Sequence, residues 1–257
     1  MGLYLIIKGK FYIVIAETLL WVLSLIVKNV FALIMLLILL AVLMYTSTLA
    51  RRGVVPKIRL IPGLEAIVEA VGRCVEMGSP VYYPLGCAGF GDAWTGGKMA
   101  ALSLINYTAG LCAERGIRLL SGTTRTAIIP LVDDVMTQAY TAKGVRELHK
   151  LSDIRWFPSQ MAYVAGTDTL FKSKEKPGAQ IMIDTWWAEA LAFCEIGRRA
   201  GALQIGGTDY RPYMPYFMAT CDYALIGEEM GIALGVIFTG PSVKNTVLAE
   251  DLFKFLI

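Results

Sequence analysis

Histidine is almost missing from this sequence. His149 stands alone among 257 residues. A His-rich zinc site is therefore excluded, and any Ser-His-Asp or Cys-His set would have to run through that one side chain. It sits in "RELHKLSD", a polar stretch that reads as surface. The five cysteines, Cys74, Cys87, Cys112, Cys194 and Cys221, include no CxxC pair. Their odd number closes no disulfide framework and implies buried free thiols in a reducing compartment. Charge is scarce too: charged residues make up 18%, the net charge is +3, and no long Lys/Arg run occurs. Nucleic acid is not an expected partner. No metal site, no cofactor and no complete catalytic set is read from the residues.

Apolar residues are abundant. They make up 56% of the chain, with mean hydropathy +0.56, against about 45–50% in an ordinary soluble domain. The excess lies in the first fifty residues. From Asn29 to Ala50 the text "NVFALIMLLILLAVLMYTSTLA" carries no charge. As a helix it matches the ~30 Å hydrocarbon core, and Arg51 and Arg52 close it. It is too long and too uniformly apolar for a secretory signal. Upstream, "FYIVIAETLLWVLSLIV" (Phe11–Val27) is apolar but holds Glu17, and Lys28 joins it to the span without a turn residue. Whether 11–27 spans, lies on or packs outside the membrane stays open. A glutamate facing lipid is costly, so Glu17 points to a helix that packs on another chain. Positive charge is richer after the span, at Arg51, Arg52, Lys57 and Arg59, which puts the C-terminal part in the cytoplasm. The expected organisation is a membrane anchor over 1–52 in the inner or cytoplasmic membrane, a linker over 53–62, and a cytoplasmic domain over 63–257.

After residue 60 the period changes. "PGLEAIVEAVGRCVEMG" places Leu64, Ile67, Val68, Val71 and Val75 on one helical face, with Pro62 at its start and Gly78 past its end. Short apolar runs then alternate with helical patterns. The runs are Val81–Leu85, Ile117–Leu120, Ile154–Phe157, Gln180–Ile183 and Leu203–Ile205. Helices are expected over Ala93–Arg115, Ala127–Lys143, Gln160–Phe171 and Thr185–Ala200, and two or three more after the fifth run. This alternation predicts a Rossmann-like α/β domain with a mostly parallel five-stranded sheet.

Ligands of such folds bind at the carboxyl ends of the strands, so the loops there carry the candidates. "GCAGFGDAWTGGK" follows the first run. A phosphate-binding P-loop needs G-x-x-x-x-G-K-[ST]. Here Asp92 takes the place of the first glycine, and Met99 that of the Ser/Thr. The dinucleotide pattern G-x-G-x-x-G finds Gly89 and Gly91 but then Trp94. The plainer account is a flexible loop with Asp92 capping the next helix. "SGTTRT" offers Thr123, Thr124 and Arg125 as an anion site or as a Ser/Thr-capped helix start. "IDTWWAE" and "GGTDYRPY" put Asp184, Thr208 and Asp209 at strand ends, as ligand groups or as helix caps. The candidate ligand-binding residues are thus Gly89, Gly91, Asp92, Thr123, Thr124, Arg125, Asp184, Thr208 and Asp209. No catalytic residue is assigned.

Three segments, "IPGLEAIVEAVGRCVEMGSPVYY", "GFGDAWTGGKMAALSLINY" and "GTDYRPYMPYFMATCDYALIGEEMGIALG", resemble in that order an uncharacterised family of prokaryotic membrane-anchored domains. The resemblance implies a membrane anchor with a cytoplasmic α/β domain and brings no activity with it. The expected function is a membrane-anchored scaffold subunit that self-associates or holds other subunits of a membrane complex through its N-terminal helix. The alternatives are a small-ligand or nucleotide-sensing domain and, after it, an enzyme using carboxylates at the sheet edge.

Overall fold

Alternation of side chains along the strands sets the layers. Val81 and Tyr83 face one side of the first strand and Tyr82 the other; Ile181 and Ile183 oppose Met182 in the same way. Both faces are apolar because both are covered, as parallel sheets require. The computed structural model describes residues 62–226 except 92 and 93, together with helical positions 30, 32–42, 44, 45 and 48.

The described domain runs α1 (Pro62–Met77), β1 (Val81–Pro84), α2 (Thr95–Glu114), β2 (Leu119–Thr123), α3 (Ile129–Ala142), β3 (Ile154–Trp156), α4 (Gln160–Lys172), β4 (Ala179–Ile183), α5 (Glu189–Ala200), β5 (Leu203–Thr208), α6 (Met214–Thr220) and β6 (Tyr223–Ile226). All six strands are parallel, in the order β3-β2-β1-β4-β5-β6. Helices α1, α2 and α3 bury Ile67, Val71, Leu104, Ile105, Val132 and Met136 against one face. Helices α4, α5 and α6 bury Tyr163, Leu170, Phe193 and Phe217 against the other. Each such side chain contributes roughly 1.5–3 kcal/mol by leaving water. The strand order reverses between β1 and β4, and there the loops that follow them part to opposite faces.

Several expectations change. The sheet has six strands, not five: Tyr223–Ile226 pairs with β5 inside a stretch read as helical. β2 and β5 run on into their polar and glycine ends because those residues find ladder partners, Gly122 on Pro84 and Thr208 on Ile226. His149 is buried, not a surface residue. Its Nε2 pairs with Asp133 Oδ1 at 2.9 Å, and its ring stacks on Tyr140 at 5.9 Å. Among the described residues no helix is long and apolar enough to cross a membrane. The expected span 29–50 is described only in part. Glu17, the segment 11–27, residues 53–61 and residues 227–257 lie outside the described residues.

Candidate functional site

The carboxyl edge of the sheet is built around one buried ion pair. Lys98 lies in the first turn of α2 and Asp184 at the end of β4; both side chains are fully buried. Lys98 Nζ donates to Asp184 Oδ2 and, at 2.9 Å, to the Gly86 carbonyl. Asp184 Oδ2 also accepts from the Gly86 amide at 2.8 Å, and Oδ1 from the Thr185 amide at 2.7 Å. Burial pushes the Asp184 carboxyl above its ordinary range, while Lys98 and the two amides pull the other way. The clamp therefore ties the loop after β1 to the loop after β4 across the switch point. Close approach at Gly86 and Gly97 makes this possible. A Cβ on Gly86 would lie 2.0 Å from the Thr185 carbonyl, and one on Gly97 2.4 Å from Thr185 Oγ1.

The neighbouring candidates are tied into the same edge. Thr185 Oγ1 donates to Asp209 Oδ1 at 2.8 Å. Thr208 Oγ1 accepts from the amides of Trp186 at 3.3 Å and Tyr210 at 3.2 Å. Thr123 Oγ1 accepts from the Arg125 amide at 3.1 Å, and Arg125 Nε donates to the Cys87 carbonyl at 2.8 Å. Arg125 thus crosses from the end of β2 to the loop after β1, with its residue exposed to solvent. Gly89 and Gly91 lie in that loop; Gly91 takes φ +93° and donates its amide to Thr95 Oγ1 at 3.2 Å. Asp92 lies outside the described residues. The expectation that it caps the helix from 93 gives way to a helix that begins at Thr95, with Trp94 at the N-cap position. Trp94 is held there by an edge-to-face contact with Tyr210, ring centroids 4.8 Å apart.

Sequence reasoning missed four contributors. In sequence Lys98 reads only as a P-loop lysine; its partner is 86 residues away. Nothing in the sequence gives Cys87, Gln160 or Glu189 a role at this edge. The Cys87 thiol, just after β1, lies near Thr124, Gln160 and Glu189, which follow β2, β3 and β4 in the chain. Burial first, then the Glu189 carboxylate, push it up to about 12, while Thr124 and Gln160 act against them. It is a neutral thiol at neutral pH, not a nucleophile. Glu189 opens α5, is 4% exposed, and neither of its carboxylate oxygens has a hydrogen-bond partner among the described residues. The Cys87 thiol sits beside it without reaching hydrogen-bond geometry. In sequence Glu189 was indistinguishable from an ordinary acidic residue in a first helical turn. Trp186 Nε1, buried in the loop before it, also has no hydrogen-bond partner among the described residues.

Among the described residues no group of His, Cys, Asp and Glu is arranged to hold a metal ion. A parallel sheet in this strand order, helices on both faces and polar groups gathered at the switch point define a doubly wound α/β domain of the kind that binds ligands at its carboxyl edge. The chain belongs to the family described as Domain of unknown function (DUF6754), whose model matches residues 23–257, in keeping with the expected membership of an uncharacterised family. No curated protein matches the chain.

Proposed function

We propose that the domain binds a small polar ligand at the carboxyl edge of the sheet, and that the apolar N-terminal segment tethers it to a lipid bilayer. The observation that carries the reading is Glu189. A buried carboxylate with two unpartnered oxygens is costly, and it is held in the first turn of α5, where the helix dipole favours negative charge. A ligand bearing hydroxyl or ammonium donors satisfies it. Arg125, exposed at the end of β2, offers a cation to an anionic group on the same ligand. Thr124 and Gln160 supply further polar groups beside Cys87.

The test is thermal melting of the full chain in detergent micelles with adenosine, ADP, ATP, L-glutamate, L-arginine and spermidine. One of these classes raises the melting temperature by roughly 5–10 °C at a hundredfold excess over Kd. Glu189→Gln and Arg125→Ala remove that rise. No shift with any probe, together with a simple gain of stability in Glu189→Gln, sinks the reading.

A scaffold role is the second reading. It is supported by Leu33, Leu36, Leu37, Leu40 and Met44, all exposed along the described helical positions. Either a bilayer or a second copy would cover that face, and a homo-oligomer or a larger membrane complex follows from the latter.

A further inference from the structure

We propose that Cys194 and Cys221 form a dithiol site that a small hydroperoxide oxidises reversibly to an intramolecular disulfide. Cys194 lies in the middle of α5 and Cys221 immediately after α6, 27 residues on. Their sulfurs are 4.0 Å apart. Cys194 is fully buried, whereas Cys221 is partly exposed, so the pair has one solvent-facing member. The contact depends on Gly206 in β5. A Cβ there would stand 2.6 Å from Cys221 Sγ and 2.3 Å from Phe217 Cδ1. The missing side chain lets α6 and the turn after it lie directly on the strand, within reach of α5.

The two thiols are unlike the others in the domain. The Cys221 hydrogen bond holds the Cys194 thiol below its ordinary value, and the same contact with burial pushes Cys221 upward. Burial pushes Cys74 up to about 11 and Cys87 up to about 12, and raises Cys112 as well. Thiolate character, on which oxidation depends, therefore concentrates at Cys194.

The chemistry balances with hydrogen peroxide as the oxidant. Peroxide enters past the partly exposed Cys221; the Cys194 thiolate attacks one peroxide oxygen, the O–O bond breaks, and the departing hydroxide takes up the proton the pair has released, leaving as water. Cys194 is then a sulfenic acid. The Cys221 sulfur attacks Cys194 Sγ, the S–O bond breaks, and hydroxide leaves with the Cys221 proton as a second water. Two thiols are oxidised by two electrons, and one peroxide is reduced. A disulfide holds its sulfurs about 2.05 Å apart, so the pair closes by a shift of the seven-residue α6 and its turn. An external dithiol reverses the step by exchange.

The experiment exposes the full chain in detergent micelles to hydrogen peroxide and reads intact mass, free-thiol count and a non-reducing peptide map. The expected product has lost two hydrogens, keeps three of its five thiols and carries one linked peptide pair, Cys194 with Cys221. Dithiothreitol restores it. Closing a loop of this length raises the melting temperature by roughly 5–10 °C in the oxidised form. Cys194→Ser and Cys221→Ser each abolish the linked pair, and Cys87→Ser leaves it in place. Five unchanged thiols, oxygen added without a link, or a link between other cysteines overturns the proposal. These readouts need no ligand, so they stand or fall apart from the function proposed above.

Discussion

Lys98 shows how one residue changes meaning between sequence and structure. In the sequence it is the lysine of a failed phosphate loop, preceded by glycines and followed by Met99 instead of a hydroxyl. In the fold it is spent on Asp184 and on the Gly86 carbonyl, with no exposed surface. Spacing cannot reveal a partner 86 residues away. Two consequences follow at this scale. Lys98→Met leaves the Asp184 carboxylate buried without its cation, and unfolding free energy falls by about 3–5 kcal/mol. Urea titration reads the loss, and Lys98→Met with Asp184→Leu recovers only part of it, because an apolar pair needs no counter-charge but the Gly86 amide and carbonyl and the Thr185 amide lose their buried partners. The second consequence concerns magnesium nucleotides. With Lys98 committed and no Ser/Thr at 99, the loop lacks both the mobile cation and the metal ligand of a P-loop. Calorimetry of the full chain with ATP is expected to show no magnesium-dependent binding; micromolar, magnesium-dependent binding would contradict this. Glu189 and Cys87 were illegible for a different reason. An acid opening a helix and a lone thiol are ordinary in sequence, and only burial without a partner makes them informative.

Elements were more legible than residues. The five runs mark five strands because a strand covered on both faces is mostly apolar; β3, at the sheet's edge, departs from this with Arg155 half-buried and Trp156 exposed. What failed was their ends. β2 continues through Ser121, Gly122 and Thr123, where Ser121 Oγ donates to the Tyr83 carbonyl at 2.9 Å. β5 continues through Gly206 and Gly207. Small and polar residues end a hydrophobic run in sequence but not a ladder in space, and these ends border the candidate site. β6 was lost because four residues, Tyr223–Ile226, show too little periodicity to separate strand from helix. The amino edge of the sheet offers a pH test. Glu175 accepts from Arg118 Nη1 at 3.0 Å and Arg155 Nη2 at 2.9 Å, linking the segment before β2, strand β3 and the turn after α4. The hydrogen bond from Arg118 lowers the Glu175 carboxyl below its ordinary value. A carboxyl more acidic in the folded state adds stability above its unfolded pKa, and that part is lost as pH falls through the folded value. Melting curves between about pH 6 and pH 3 should therefore show a shallower acid decline in Glu175→Gln than in the parent. The effect is modest because the group is half exposed and solvent screens it. An identical decline in both proteins would remove Glu175 from the account.

At the scale of the whole molecule the question is what covers the apolar N-terminal segment. Leu36 and Leu40 are 59% and 58% exposed, and Leu33, Ile34, Leu37 and Met44 are also exposed. Water is a poor neighbour for so many leucines on one helical stretch, since contiguous apolar surface on a soluble chain is covered or aggregates. A bilayer covers all faces of such a helix at once. A second copy covers one face only and leaves the others wet, so the proposed cover is lipid, with self-association proposed as an addition to it. Within lipid, helices gain nothing from hydrophobic segregation, and a polar side chain then has most to gain from a partner. Glu17 is the side chain to vary, although its surroundings lie outside the described residues. Two measurements separate these covers. Membranes containing the full chain, washed with alkaline carbonate and floated on a density gradient, should keep the protein in the lipid fraction. Release into the carbonate supernatant as a folded, monodisperse species would end the anchor reading. Mass measurement in mild detergent then addresses assembly. The expected species is larger than one chain, and Glu17→Leu shifts it toward a monomer by removing the polar contact. A monomer whose mass does not respond to Glu17→Leu would leave the bilayer as the sole cover and defeat the oligomer.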